Sequence, residues 1–372
     1  MADLFAYLDW RGDLPFSQVP VTPVDALLFS ALSYIDFDGV VPRSHTAAIS
    51  LADAAARLTA LPDRDDRVRT KHDLPLLQKM AQCPRFAQVG LTGFDSQLIP
   101  EEETQFAALT FLPTDYVAIV TYRGTDSSVV GWKEDFAMSF ERTVPAQRKA
   151  LAYLQIAARN HPGALLLTGH SKGGNLAVFA AAMAGADIQP RIHAVYNNDG
   201  PGFTDFVLES PGYKTMLPRI HTYIPQSSII GMLLEHKDPY TLIRSSTVSV
   251  LQHELYTWEV LGGDFIPEED VSAGSQVINE TITAWLATHS NAERSAFVEA
   301  LFDLVEAGDA DQTGELLRPR NIQSYIKTLV LDEEARRLLA TELSGMLRTA
   351  KASLRRGKSK TPEAPALPDH TR

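Results

Sequence analysis

The chain has 372 residues, 45% of them hydrophobic and 22% charged, which is enough to bury a large core and excludes a wholly disordered protein. A formal net charge of −12 argues against nucleic acid as the main partner, because phosphate binding needs a basic face, and against general adsorption to anionic lipid. With Cys83 as its one cysteine the chain can form no internal disulfide, which fits a reducing compartment.

No basic stretch precedes an apolar run at the N-terminus, so no signal peptide is read there. No apolar run approaches the roughly 20 residues of a membrane span. The expectation is a soluble cytoplasmic protein.

The first 50 residues are rich in proline and aromatics, with one helix-like apolar stretch at Val24–Ile35. Ser50-Leu51-Ala52-Asp53 resembles a capping box and opens an Ala-rich helix to about Leu61. The charged piece Pro62–Asp73 reads as loop, and Leu76–Gln82 as a short helix. The period then changes. Phe86–Leu91, Gln105–Leu112 and Tyr116–Tyr122 are short β-branched and aromatic runs, the last two joined as a hairpin by Pro113-Thr114-Asp115.

Beyond them the pattern alternates: a helix over Ala146–Asn160, a strand over Ala164–Thr168 and a helix over Lys172–Ala184. Further strands fit His193–Asn197, Arg219–Ile224 and Thr247–Leu251. Such alternation predicts an α/β fold, a mostly parallel central sheet covered by helices on both faces. From about Gly274 the strand signal disappears, and Val277–Ala287, Ala292–Ala307 and Glu333–Ala350 are helix-patterned. The segment from Gly357, rich in Lys, Pro, Ser and Thr, is expected to be disordered.

Within this layout Gly169-His170-Ser171-Lys172-Gly173 matches G-x-S-x-G, with a hydrophobic strand before it and an Ala-rich helix after it. A serine on so sharp a strand-to-helix turn needs neighbours without a Cβ, so that backbone can approach backbone. The turn lifts the hydroxyl above the sheet and aims a helix N-terminus at a developing oxyanion, where the Lys172 N–H can donate. Ser171 is therefore the candidate nucleophile.

The run Gly-His-Ser-Lys-Gly-Gly-Asn-Leu-Ala resembles the elbow of a bacterial, Mbeg-like α/β-hydrolase family related to the class 3 (fungal-type) lipases. Val120-Thr121-Tyr122-Arg123-Gly124-Thr125-Asp126, followed by Gly131-Trp132-Lys133-Glu134-Asp135, is similar to the lipases' Arg-Gly-Thr/Ser segment with a Trp and an Asp shortly after. The resemblance runs from roughly Pro23 to Trp258 and implies the α/β-hydrolase fold. It also implies that Thr125, by its backbone N–H and its hydroxyl, and the Lys172 N–H form the oxyanion hole. A plain reading of Arg123–Asp126 is a tight capped turn.

A serine needs a base, and the base an orienting acid, in the chain order Ser, acid, His for this fold. The histidines after Ser171 are His193, His221, His236, His253, His289 and His370. His193 and His221 fall within strands, His289 ends a helix and His370 lies in the tail. His253 follows the last strand in a loop, and the related family also carries a Gln-His pair before a Trp, here Trp258. His253 is the candidate base, with His236 the runner-up.

The resemblance would place the acid after Arg219–Ile224, but Pro225-Gln226-Ser227-Ser228 holds no carboxylate there. Asp199, leaving the preceding strand in Asn198-Asp199-Gly200-Pro201-Gly202, is the candidate acid and is read equally well as an Asx-type turn residue. Asp238 is second, and a dyad assisted by Ser227 or Ser228 third.

The layout is thus an N-terminal, mostly helical segment (1–85), an α/β-hydrolase core (86–270), a helical C-terminal part (271–355) and a tail (356–372). The expected activity is hydrolysis of an acyl ester or lipid, with a thioesterase or amidase, or an inactive hydrolase scaffold used for binding, as alternatives. No zinc spacing, Walker motif or dinucleotide glycine pattern is present, so no cofactor or metal is implied. Arg348, Lys351, Arg355, Arg356, Lys358 and Lys360, with Leu347 and Leu354, suggest a weak membrane-surface contact through a basic C-terminal helix.

Overall fold

The computed structural model describes residues 2–126, 128–228, 230–232, 234–247, 249–269, 273–306, 324–325, 328–329 and 332–359. The N-terminal segment holds α1 (Leu4–Arg11), α2 (Pro23–Leu32), β1 (Ile49–Ser50), α3 (Leu51–Thr59) and α4 (Asp73–Gln82). Thr22 and Asp25 close a reciprocal capping box on α2, whose remaining residues from Val24 on are all buried. Ser50 caps α3 as its sequence suggests, its Oγ accepting the Asp53 N–H at 3.0 Å.

The middle of the chain forms β2 (Gly90–Ile99), β3 (Thr104–Thr114) and β4 (Val117–Tyr122), then α5 (Val129–Ala137) and α6 (Pro145–Asn160). Next come β5 (Ala164–His170), α7 (Lys172–Met183), β6 (Ile192–Asn198), α8 (Asp205–Leu208), α9 (Pro211–Met216), β7 (Ile220–Pro225) and β8 (Tyr240–Ile243). A small ribbon of β9 (Val260–Leu261) and β10 (Asp264–Phe265) precedes α10 (Ala273–Thr288), α11 (Asn291–Glu306) and α12 (Glu333–Ser359).

The eight strands β1 to β8 lie in one sheet in chain order. Pairing is antiparallel from β1 to β4 and parallel from β4 to β8. This is the expected α/β-hydrolase arrangement. Period-two alternation assigns the faces: Ile119 of β4 packs under the N-terminal helices, while Val120 and Tyr122 face α6 and α7. Because β4 to β7 run parallel, their carboxyl ends meet on one edge, where Arg123, Ser171, Asp199 and Gln226 leave the sheet.

Three expectations need correction. The strand drawn over Phe86–Leu91 begins only at Gly90 and continues through Gly93, at φ +67°, and a register shift to Ile99. The β-branched run Thr247–Leu251 is not a strand; Ser249–His253 is a 3₁₀ turn, and the last strand of the sheet is β8. Side chains there bond locally and compete with a ladder: Gln252 Nε2 donates to the Thr247 carbonyl at 2.7 Å, and Ser245 and Thr257 share a 2.7 Å hydroxyl bond. Finally, α5 arises where only a loop motif was read, its first turn capped by Ser128 Oγ accepting from the Gly131 N–H at 3.1 Å.

The C-terminal helices build their own small core around Phe297, Val298, Phe302 and Leu339. They meet the sheet domain at α5, where Phe136 stands edge-on to Phe302 at 5.9 Å and Arg294 donates to the Ser139 carbonyl at 2.8 Å. Among the described residues no helix is long and apolar enough to cross a membrane. Leu347 on α12 is exposed, whereas Lys360, the tail beyond it, and the side chains of Leu354, Arg355, Arg356 and Lys358 lie outside the described residues.

Candidate active site

Ser171 sits between β5 and α7 at φ +59° and ψ −134°, a backbone conformation that costs a non-glycine residue about 1–3 kcal/mol. The surrounding glycines make this possible. A Cβ on Gly169 would stand 2.1 Å from the Gly173 carbonyl oxygen, and one on Gly173 would stand 2.1 Å from that of Tyr122. The Ser171 N–H donates to the Asn198 carbonyl at 2.9 Å, which ties the turn to the end of β6.

The structure brings His253 and Asp199 together. His253 Nδ1 lies 2.7 Å from Oδ2 of Asp199, whose side chain is fully buried. Asp199 adopts φ +57°, and its N–H donates to the Tyr223 carbonyl at 2.8 Å. Its Oδ1 is buried without a hydrogen-bond partner among the described residues and is capped by Gly231, where a Cβ would come within 2.2 Å. The carboxylate is therefore aimed at one donor, His253 Nδ1–H, which leaves Nε2 as the basic nitrogen.

His170, next to Ser171, holds His253 from the other side. The two rings lie 4.6 Å apart, and His170 Nε2 is 2.8 Å from the His253 carbonyl oxygen. A carbonyl can only accept, so Nε2 carries the proton and Nδ1 accepts from the Tyr34 hydroxyl at 2.8 Å. Burial, with His253 and Arg69 nearby, pushes the His170 pKa well below its usual value and keeps the ring neutral. Neither Tyr34 nor the role of His170 is legible in the sequence, where the one signal is an imidazole inside the motif.

The alternatives lie apart from this pair. His236 Nε2 donates to the Gly231 carbonyl at 2.8 Å, and its Nδ1 is 3.8 Å from Asp238. Asp238 accepts from Tyr213 at 2.6 Å and Thr222 at 2.5 Å. Burial raises its carboxyl pKa, but the His236 ring beside it and hydrogen bonds from Thr222 and Tyr213 outweigh it and hold the group below the ordinary range. Ser228 Oγ accepts from Gly231, and the Ser227 N–H donates to Gln252, so both serve the local turn. His193 and His221 are exposed, His289 bonds Glu342 among the C-terminal helices, and His370 lies outside the described residues.

Thr125 follows β4 through Gly124, whose missing side chain lets the loop rest on the elbow: a Cβ there would be 3.0 Å from that of Ser171. The Thr125 hydroxyl donates to Asp135 Oδ2 at 2.5 Å, so the backbone N–H, rather than the hydroxyl, is the group that can serve an oxyanion. Lys172 places its N–H at the start of α7 and buries its side chain. Its Nζ donates to the Gln105 carbonyl at 2.9 Å and to Glu134 Oε2 at 3.0 Å. Burial lifts the Asp135 carboxyl to about 6, with Lys172 and Thr125 pulling the other way and Glu134 adding to the rise. The Trp132 side chain lies outside the described residues. Among the described residues, no group of three or more His, Cys, Asp or Glu side chains could hold a metal ion.

A family model described as Mbeg1-like matches residues 80–303, which begins later than the resemblance read from the motifs and runs on into α11. No curated protein matches the chain. Among solved structures, the native propeptide complex of Rhizomucor miehei lipase is similar at 15% identity with a TM-score of 0.38, over 64% of this chain and 79% of that one.

Proposed function

The chain belongs to the Mbeg1-like family, and from that premise we propose that it is a lipase-like serine hydrolase that cleaves carboxylic esters through an acyl-enzyme on Ser171. In this reading Ser171 Oγ attacks the ester carbonyl carbon while His253 Nε2 takes the hydroxyl proton. Asp199 holds the imidazole and stabilises the imidazolium that forms. The N–H groups of Thr125 and Lys172 receive the oxyanion of the tetrahedral intermediate. The intermediate collapses, the carbon–oxygen bond to the alcohol breaks, and His253 returns the proton to that alcohol. Water, deprotonated by the same histidine, then attacks the acyl-enzyme and releases the acid.

The observation that carries the reading is the 2.7 Å bond from His253 to a fully buried Asp199, at the sheet edge where the strained Ser171 emerges. A buried carboxylate with one oxygen unpaired among the described residues is costly, and orienting a base is a reason to keep it. A thioester or amide substrate would use the same residues.

The test is labelling of the purified chain by a fluorophosphonate at pH 8, with turnover of p-nitrophenyl butyrate, a matched thioester and a matched anilide. Labelling is expected in the wild type and absent in Ser171→Ala. Ester turnover is expected to fall at least about 10³-fold in His253→Ala and Asp199→Asn. A wild-type chain that neither labels nor turns over any of the three substrates is an inert scaffold, and the proposal is then wrong.

A further inference from the structure

Two neighbouring carboxylates of α5 reach the two candidate oxyanion donors. Asp135 accepts the Thr125 hydroxyl at 2.5 Å, and Glu134 accepts the Lys172 ammonium at 3.0 Å. Glu134 is itself fixed from elsewhere: Oε1 accepts the Ala146 N–H at 2.8 Å, at the start of α6, and Oε2 accepts the Gln105 N–H at 3.2 Å, on β3. Both ionic side chains are 1% exposed. Lys172 is thus tethered at both ends, by its backbone in the elbow and by its Nζ in the body of the protein.

Stability gives little reason to keep such a pair. Desolvating two ions cancels most of their attraction, and apolar residues of equal volume often do as well or better. Geometry gives a better one, because an oxyanion donor must stand within a few tenths of an ångström of its place and a shift of about 1 Å can cost 10²-fold in rate. Resting on the serine-hydrolase reading above, we propose that Glu134 and Lys172 are a positioning pair that sets the Lys172 N–H against the Thr125 N–H, so that α5 acts as the common frame of the oxyanion hole. Neither side chain touches substrate. Their effect passes through the two N–H groups.

The experiment compares the full-length wild type with the double variant Glu134→Gln/Lys172→Met, which keeps side-chain volume and removes both charges. Fluorophosphonate labelling and kcat, KM and the pH profile on p-nitrophenyl butyrate are measured, with melting temperature as the control for folding. The expected result is a folded double variant whose kcat falls roughly tenfold to a hundredfold with KM within about threefold. The acidic inflection of kcat/KM should stay in place, since Asp199 and His253 are untouched; a shift there would mean a damaged triad and overturn the inference. So would a folded double variant with wild-type kcat. Should the double variant not fold, Glu134→Asp retracts the carboxylate from Lys172 while keeping its charge, and it should show the same fall in kcat. A folded Glu134→Asp with full activity overturns the inference. A wild type that neither labels nor hydrolyses ends the functional reading and this inference together.

Discussion

Asp135 is the residue whose charge state the site controls most visibly. Its carboxyl, ordinarily ionised from about pH 4, is held to about 6 by burial. Between those values the folded chain binds more protons than the unfolded one, so this group makes stability fall as pH rises from 4 to 6. Asp135→Asn should remove that slope. Its melting temperature relative to wild type should climb from pH 4 to pH 7, and a constant difference would refute the assignment. Ser171, Asp199 and His253 are singled out as candidates in the sequence because each sits at a boundary marked by glycines or by the end of an apolar run, although Asp199 reads equally well as a turn residue. Glu134, Tyr34 and the role of His170 are not, because what defines them is a partner far away in the chain. Lys172 reads as an N–H donor; nothing local says that its ammonium is buried against a residue 38 positions earlier.

At the level of elements, α5 matters most and was the least visible. Val129-Val130-Gly131-Trp132 has weak helix propensity, and the Arg-Gly-Thr-Asp signal before it draws attention to a turn. The helix forms because Ser128 caps it and because Glu134 and Asp135 find partners on its inner side. Ser128→Ala should cost about 1 kcal/mol of stability. If α5 frames the oxyanion hole, the same change should lower kcat on p-nitrophenyl butyrate more than it raises KM, whereas unchanged kinetics would separate the cap from the site. The hairpin of β3 and β4, the elbow strand and α7 are readable from residue composition, turn residues and the alternation of elements. The run at Thr247–Leu251 was not, because β-branched composition is shared by strands and by turns whose side chains bond their own backbone.

Across the whole molecule, the N-terminal segment is itself held together by a buried ion pair between its two ends. Arg85 donates to Asp25 at 2.5 and 3.0 Å, both side chains being fully buried, and also to the carbonyls of Leu14, Val19 and Pro20. The Tyr7 hydroxyl adds a further bond to Asp25 at 2.8 Å. Arg85→Ala leaves that buried carboxylate without its counter-charge and the three carbonyls without this donor, so about 3–5 kcal/mol should be lost in urea unfolding. A loss under about 1 kcal/mol would mean that the segment holds together without the pair. The overall α/β layering was legible because helices and strands alternate in period. The segment's hold on the site was not: Tyr34 reaches His170 across 136 positions.

The strand order has a consequence for how the protein is made. Each strand after the first pairs with its immediate predecessor, so a chain emerging from the ribosome can zip its sheet from one side to the other without waiting for a distant partner. The covering helix α2 is in the opposite position. It is synthesised early, buried along nearly its whole length, and lies against β5, which is made more than a hundred residues later. During that interval α2 can rest on α1, α4 and β4 but lacks the face of β5, its largest neighbour. Nascent chains stalled before β5 should therefore be the ones that chaperones bind, and those stalled after it the ones that resist protease.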